Sequence, residues 1–183
     1  MTASRPFDPS ARRYAPHLAF PEYRHVLGET PHPRTHPRGH SFGLPEVSVS
    51  ASLAADSWPS DETYLFGVDL YNFAFWWEAH EQWEALWHRE EDRGGDTGSF
   101  LQGLIQLSAS LLKWNAGNQR GFTQLAAKGC DRLQRVTGSM EGDCYMGVNP
   151  ERFVAQYQAF EKNQQAAGQY RPPLLLLEGL RGR

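Results

Sequence analysis

The sequence predicts an all-α protein: a compact antiparallel bundle of about five helices, with an irregular N-terminal arm and an extended C-terminal tail. Three observations predict it. Apolar residues recur at helical spacing in successive segments between residues 60 and 168, most clearly in a tryptophan-rich stretch at 75–89. Short turns at Asn72 and Asn115 join neighbouring segments into hairpins. A length of 183 residues, 40% hydrophobic with six Trp, ten Phe and seven Tyr, suits one core rather than two. The expected organisation is an arm over 1–59 packed on the bundle, the bundle over 60–168 and the tail over 169–183.

Taken in order, residues 1–59 are rich in Pro, Gly and Ser, and Pro31, Pro33 and Pro37 keep the stretch Thr30-Pro-His-Pro-Arg-Thr-His-Pro-Arg-Gly-His40 from becoming helical. Ser60 and Asp61 offer N-cap side chains, and Tyr64, Leu65, Val68 and Tyr71 follow at helical spacing, which predicts a helix over 61–71. Asn72-Phe-Ala74 is a tight connection. The next helix spans 75–89 and stops at Arg93-Gly-Gly95. Thr97-Gly-Ser99 opens a central helix, apolar on more than one side from Phe100 to Trp114, which ends at Asn115-Ala-Gly-Asn118. Two more helices are expected: one over 120–136, and one with Asn149 as N-cap and Pro150 in the first position, continuing to about Ala167. Arg171 to Leu177 should be extended and docked. The hairpins share no recurring pattern, which argues against a solenoid.

Charge narrows the function classes. The formal net charge is −3, but residues 61–100 hold ten acids against two bases while residues 1–40 hold six Arg against three acids. A nucleic-acid footprint needs a basic stripe, and the most structured region has the opposite sign. Attraction between the arm and the acidic helices predicts that the arm lies on them, anchored by Phe20, Tyr23 and Phe42. No segment has the apolar length of a membrane span or of a signal peptide, so the expectation is a cytoplasmic protein with neither nucleic acid nor membrane as partner. Cys130 and Cys144 lack a Cys-x-x-Cys spacing and are expected as free thiols.

The chemistry concentrates on the second helix. At 100° per residue, Phe75, Trp76, Ala79, Trp83, Leu86 and Trp87 form its core face. His80 and Glu84, at i and i+4, share a direction at the edge of that face, with His88 one turn further and Glu81 beside them; Glu78 points elsewhere. His80-Glu-Gln-Trp-Glu84 has the shape of His-Glu-x-x-His with the second His replaced by Glu. It could supply two ligands for a divalent metal ion, with Glu81 as general base, and a third ligand would come from His88 or from the arm histidines His32, His36 and His40. Gln102 and Gln106, four apart on the central helix, could hydrogen-bond these carboxylates and fix their rotamers. The competing account is a hydrogen-bonded brace in which the carboxylates and His80 simply satisfy one another.

Four motifs, Asp69-Leu-Tyr-Asn72, Trp77-Glu-Ala-His-Glu-Gln-Trp-Glu-Ala-Leu-Trp87, Phe100-Leu-Gln-Gly-Leu-Ile-Gln106 and Gly117-Asn-Gln-Arg-Gly121, occur in an order that resembles the prokaryotic domain of unknown function family 309 over about residues 61–136. The resemblance implies a compact helical bundle catalogued as a predicted metal-dependent hydrolase. It places Glu78, His80, Glu81, Glu84, Trp87, Gln102, Gly103, Gln106, Gly117 and Asn118 at motif positions. Ala74 stands where a turn glycine is expected, which argues against a left-handed backbone there. Two functions follow as expectations. One is hydrolysis of an unidentified small-molecule substrate at a divalent metal; the other is a non-catalytic helical module that binds a partner or forms a homodimer.

Overall fold

The computed structural model describes residues 8, 10–47, 53–90, 95–136, 143–163 and 171–180. Among these residues five α-helices pack against one another and there are no strands: α1 (Glu62–Asn72), α2 (Trp76–Arg89), α3 (Asp96–Asn115), α4 (Gln119–Gln134) and α5 (Pro150–Asn163). A 3-10 turn at Trp58–Ser60 precedes α1, and an isolated bridge pairs Tyr145 with Val148. Continuation of α5 towards Ala167 and the stop signal at Arg93-Gly94 lie outside the described residues.

The helix ends follow from local chemistry. Asp61 caps α1 by accepting from the Tyr64 N–H at 2.7 Å, Asn118 caps α4 through the Gly121 N–H at 2.8 Å, and Asn149 caps α5 through the Arg152 N–H at 2.8 Å. α1 and α3 end in the same way. Phe75 N–H bonds to Leu70 O and Ala74 N–H to Tyr71 O; Asn118 N–H bonds to Lys113 O and Gly117 N–H to Trp114 O. Both are Schellman turns, which place one residue in the left-handed region. At the end of α3 that residue is Gly117, φ 71°; at the end of α1 it is Ala74, φ 65°, so the expectation against a left-handed backbone there is overturned. The strain, about 1–2 kcal/mol, is offset by the two turn hydrogen bonds and by burial of the Ala74 methyl, 2% exposed.

The core sits where α3 meets α2 on one side and α4 on the other, with α1 packed on α2 and α5 on α4. Leu101, Leu104, Leu107 and Leu111 of α3 are buried, each contributing roughly 1.5–3 kcal/mol. Contact between α1 and α2 depends on Gly67, where a Cβ would lie 2.3 Å from Nε1 of the fully buried Trp83. The Trp83 indole N–H reaches the Tyr64 carbonyl at 3.4 Å. Among the described residues no helix is long and apolar enough to cross a membrane.

Asp69 and Asn72 fasten the irregular segments to α1. The buried Asp69 carboxylate accepts from Arg13 Nε at 3.1 Å and from the Tyr14 and Ala15 N–H groups at 2.7 and 2.9 Å. Asn72 pairs with Leu175 of the tail as a strand would, its Nδ2 donating to the carbonyl at 3.0 Å and its Oδ1 accepting from the N–H at 2.8 Å. Arm and tail also meet directly, since Leu177 N–H donates to the Tyr14 hydroxyl at 2.9 Å.

Candidate functional site

Helix α2 buries Trp76, Ala79, Trp83 and Leu86, leaving two other faces to meet the arm and the solvent. Trp77 and Glu78 meet the arm. The Trp77 indole lies edge-on to the rings of His25, His32 and His40, at centroid distances of 5.9, 5.5 and 6.3 Å. Glu78, 4% exposed, uses one carboxylate oxygen to accept from His25 N–H at 2.9 Å and to meet His40 Nε2 at 2.9 Å. Its other oxygen is buried with no hydrogen-bond partner. Burial pushes the Glu78 carboxyl above its ordinary value, against the pull of His40 and the backbone amides.

The arm histidines recur every four residues for a structural reason. In His-Pro-Arg the proline lacks an N–H, so the imidazole takes the amide two residues on: His32 Nδ1 accepts from Arg34 N–H at 3.3 Å and His36 Nδ1 from Arg38 N–H at 3.0 Å. His40 Nδ1 meets Ser41 Oγ at 2.8 Å. His32 and His36 therefore act as turn caps, and His40 sits on Glu78.

On the neighbouring face, His80, Glu81 and Glu84 each bring a ligand atom within 4.8 Å of the others, and this is the group of three or more such side chains found among the described residues. His80 Nδ1 is buried and has no hydrogen-bond partner. It faces Glu81 Oε1 at 3.5 Å and Glu84 Oε2 at 3.8 Å. These separations exceed a good hydrogen bond and lie just beyond the ~3.0–3.4 Å between adjacent ligands of one ion bound at ~2.0–2.1 Å. The donor set, one imidazole and two carboxylates, is acceptable to zinc, manganese or iron. His88, exposed, has Nε2 3.9 Å from Glu84 Oε1.

Arg34, from the arm, donates through Nε to Glu81 Oε2 at 2.9 Å. Burial alone would raise the Glu81 carboxyl; the neighbouring His80 and Arg34 outweigh it and hold the group below its ordinary value. Glu81 and Glu84 open onto a polar cleft of about 480 Å³, lined also by Arg34, Glu46, His88 and Arg89.

The remaining residues singled out by the sequence lie apart. Gln102 and Gln106 are half-buried on α3, and among the described residues neither hydrogen-bonds Glu78, His80, Glu81 or Glu84; Gln106 Oε1 is a buried oxygen without a partner. Asn118 is the α4 cap. Trp87 is half-buried, its ring 5.3 Å from that of His88. Sequence reasoning did not single out Arg34, Glu46 or Arg89 as site residues, gave Asp69 no task and gave Asn72 only a place in the turn after α1. The opposed charges of arm and middle were the one signal for Arg34.

Fold and site together define a small all-α protein with a His/Glu group on the solvent edge of a tryptophan-rich helix. Residues 64–125, from α1 into α4, match the model of the family described as Domain of unknown function (DUF309), so the chain carries this domain over those residues. The match contains Asp69, Asn72, His80, Glu81 and Glu84, while Arg13, Arg34 and His40 precede it. No curated protein and no solved structure matches the chain significantly.

Proposed function

We propose that the protein holds a divalent cation at His80, Glu81 and Glu84 and hydrolyses a small-molecule substrate in the adjoining cleft. The observation that carries this reading is the buried His80 Nδ1, which lacks a hydrogen-bond partner yet faces two carboxylate oxygens. A buried polar atom left unsatisfied costs about 1–3 kcal/mol, and an ion accepting its lone pair removes that penalty. Two carboxylates would balance the charge of the ion. When bound, a divalent cation supplies Lewis acidity and a nucleophilic water at neutral pH.

The chain's own groups would divide the remaining work. Glu81, kept ionised by Arg34 and His80, would offer Oε1 to the cation, and the Arg34 bond to Oε2 fixes which oxygen turns towards His80. Glu84 stands between His80 and His88, so His88 is the one further imidazole of α2 able to join the group.

One observation favours a second reading, a non-catalytic brace. The Arg34–Glu81 ion pair, 25% and 22% exposed, ties arm to helix and occupies an oxygen that a metal would compete for. Metal content separates the two. Tag-free protein purified without chelator should retain close to one divalent ion per chain by elemental analysis, and His80→Ala should lose it while remaining folded. Folded wild type that stays free of metal after reconstitution with zinc, manganese and iron leaves only the brace.

A further inference from the structure

We infer that the cleft beside His80, Glu81 and Glu84 takes a phosphorylated ligand, its phosphoryl group bound by Arg34 and Arg89 together with a cation held at the carboxylates. This rests on the metal reading above and adds the substrate class. A cleft of about 480 Å³ has the size of small-molecule sites. Arg34 and Arg89 are among its lining residues, and both have hydrogen-bonding capacity to spare. Arg34 spends Nε on Glu81; among the described residues its two terminal nitrogens make no hydrogen bond, and Arg89, in the last turn of α2, makes no ion pair. Guanidinium forks pair with phosphate or carboxylate oxygens.

Charge decides between those ligands and sets an order of binding. Glu46, Glu81 and Glu84 outnumber Arg34 and Arg89 along the cleft, so without a cation the cleft is net negative and repels any anion. A divalent ion reverses that sign. A doubly charged phosphoryl group with three oxygens can bridge a cation and two guanidiniums at once, whereas a carboxylate brings one charge and two oxygens in one plane. The cleft should therefore bind phosphoryl groups only after the cation. By linkage, each ligand tightens the other by the same factor.

The test is calorimetry on the full-length, tag-free chain. Mn²⁺ is titrated first, then phenyl phosphate into the Mn²⁺-loaded and the metal-free protein, with benzoate as the comparison. The expected result is phenyl phosphate binding to the loaded form alone, tighter than benzoate, with Mn²⁺ affinity raised reciprocally. Arg89→Gln should weaken phenyl phosphate about five-fold, the size of one exposed ion pair, and leave Mn²⁺ affinity within about two-fold on the same scale. The inference is overturned, with the metal site standing, if Mn²⁺ binds but phenyl phosphate binds no better than benzoate, binds the metal-free protein equally, or is indifferent to Arg89→Gln. If Mn²⁺ does not bind, the same titrations are run with Zn²⁺ and Fe²⁺, and failure of all three to bind overturns both readings before any phosphate is added.

Discussion

Glu78 and Glu81 lie three residues apart on α2, and their surroundings move their protons in opposite directions. Glu78 faces His25 and His40 in a buried pocket and is pushed up, chiefly by burial; Glu81 is half-buried, which also pushes it up, but His80 and Arg34 bring it down. The consequences for stability have opposite signs. For Glu78 the native state binds the proton more tightly than the unfolded chain does. Its contribution is therefore complete below the ordinary value of 4.5 and is lost as pH rises through the folded value. For Glu81 the contribution is present above 4.5 and is lost as pH falls through its lowered folded value. Urea midpoints measured across this range should show wild type losing ground to Glu78→Gln as pH rises from 4.5, and gaining on Glu81→Gln over the lower range. Curves for the three proteins that run parallel would contradict both assignments. At this scale the sequence revealed half of the arrangement. His80 and Glu84 share a helix face by arithmetic, whereas the partners of Glu78 and Glu81 come from an irregular arm 38 to 53 residues earlier, which no periodicity predicts.

Helix α1 meets α2 through an absence, the missing side chain of Gly67. A methyl there would lie 2.3 Å from Nε1 and 2.8 Å from Cδ1 of Trp83, a ring with no exposed surface and no space to withdraw into. Gly67→Ala would add about 1 kcal/mol of helix propensity. Overpacking costs about 1–3 kcal/mol, and so close an approach to a rigid indole puts this case at the upper end. A net loss of about 2 kcal/mol follows from these two terms, measurable as a lowered denaturant midpoint; an unchanged or raised midpoint would show that the two helices can separate cheaply. The helices themselves are legible because caps and spacing are local: Asp61 and Asn149 cap where the sequence places caps, Asn118, expected only in the stop of α3, caps α4, and the described ends fall within a few residues of the expected ones. The turn after α1 was misjudged on one point. Ala74 adopts the conformation usually left to glycine because tertiary burial and two hydrogen bonds override the preference of a single residue. Gln102 and Gln106 show the reverse limit, since a shared helix face does not say which neighbour it will meet.

At the scale of the molecule, α1 is the post to which both irregular segments are tied, by two side chains one turn apart. Asp69 holds the arm through three donors and Asn72 holds the tail through both backbone groups of Leu175, while the Tyr14 hydroxyl bridges arm to tail at Leu177. The bridge makes the coupling one-directional at the level of single amides. Asp69→Ala leaves Arg13 Nε and the Tyr14 and Ala15 amides without their acceptor. Arg13 is partly exposed, so the loss should be near 3 kcal/mol, the lower end for removing one partner of a buried ion pair. Tyr14 is then no longer held in place, and hydrogen exchange should quicken at Tyr14, Ala15 and Leu177, while Leu175 stays protected by Asn72. In Asn72→Ala the pattern inverts: Leu175 loses its acceptor and exchanges faster, and Tyr14 and Ala15 keep their Asp69 protection. The arm carries Arg34 to Glu81 and His40 to Glu78, so loosening it at Asp69 should also reach the proposed metal group, and Asp69→Ala should bind Mn²⁺ differently from wild type although it touches no ligand. Asn72→Ala should leave Mn²⁺ binding as it is. Equal exchange at Leu177 in both variants, or Mn²⁺ affinity indifferent to Asp69→Ala, would mean that the arm lies on α2 without controlling it.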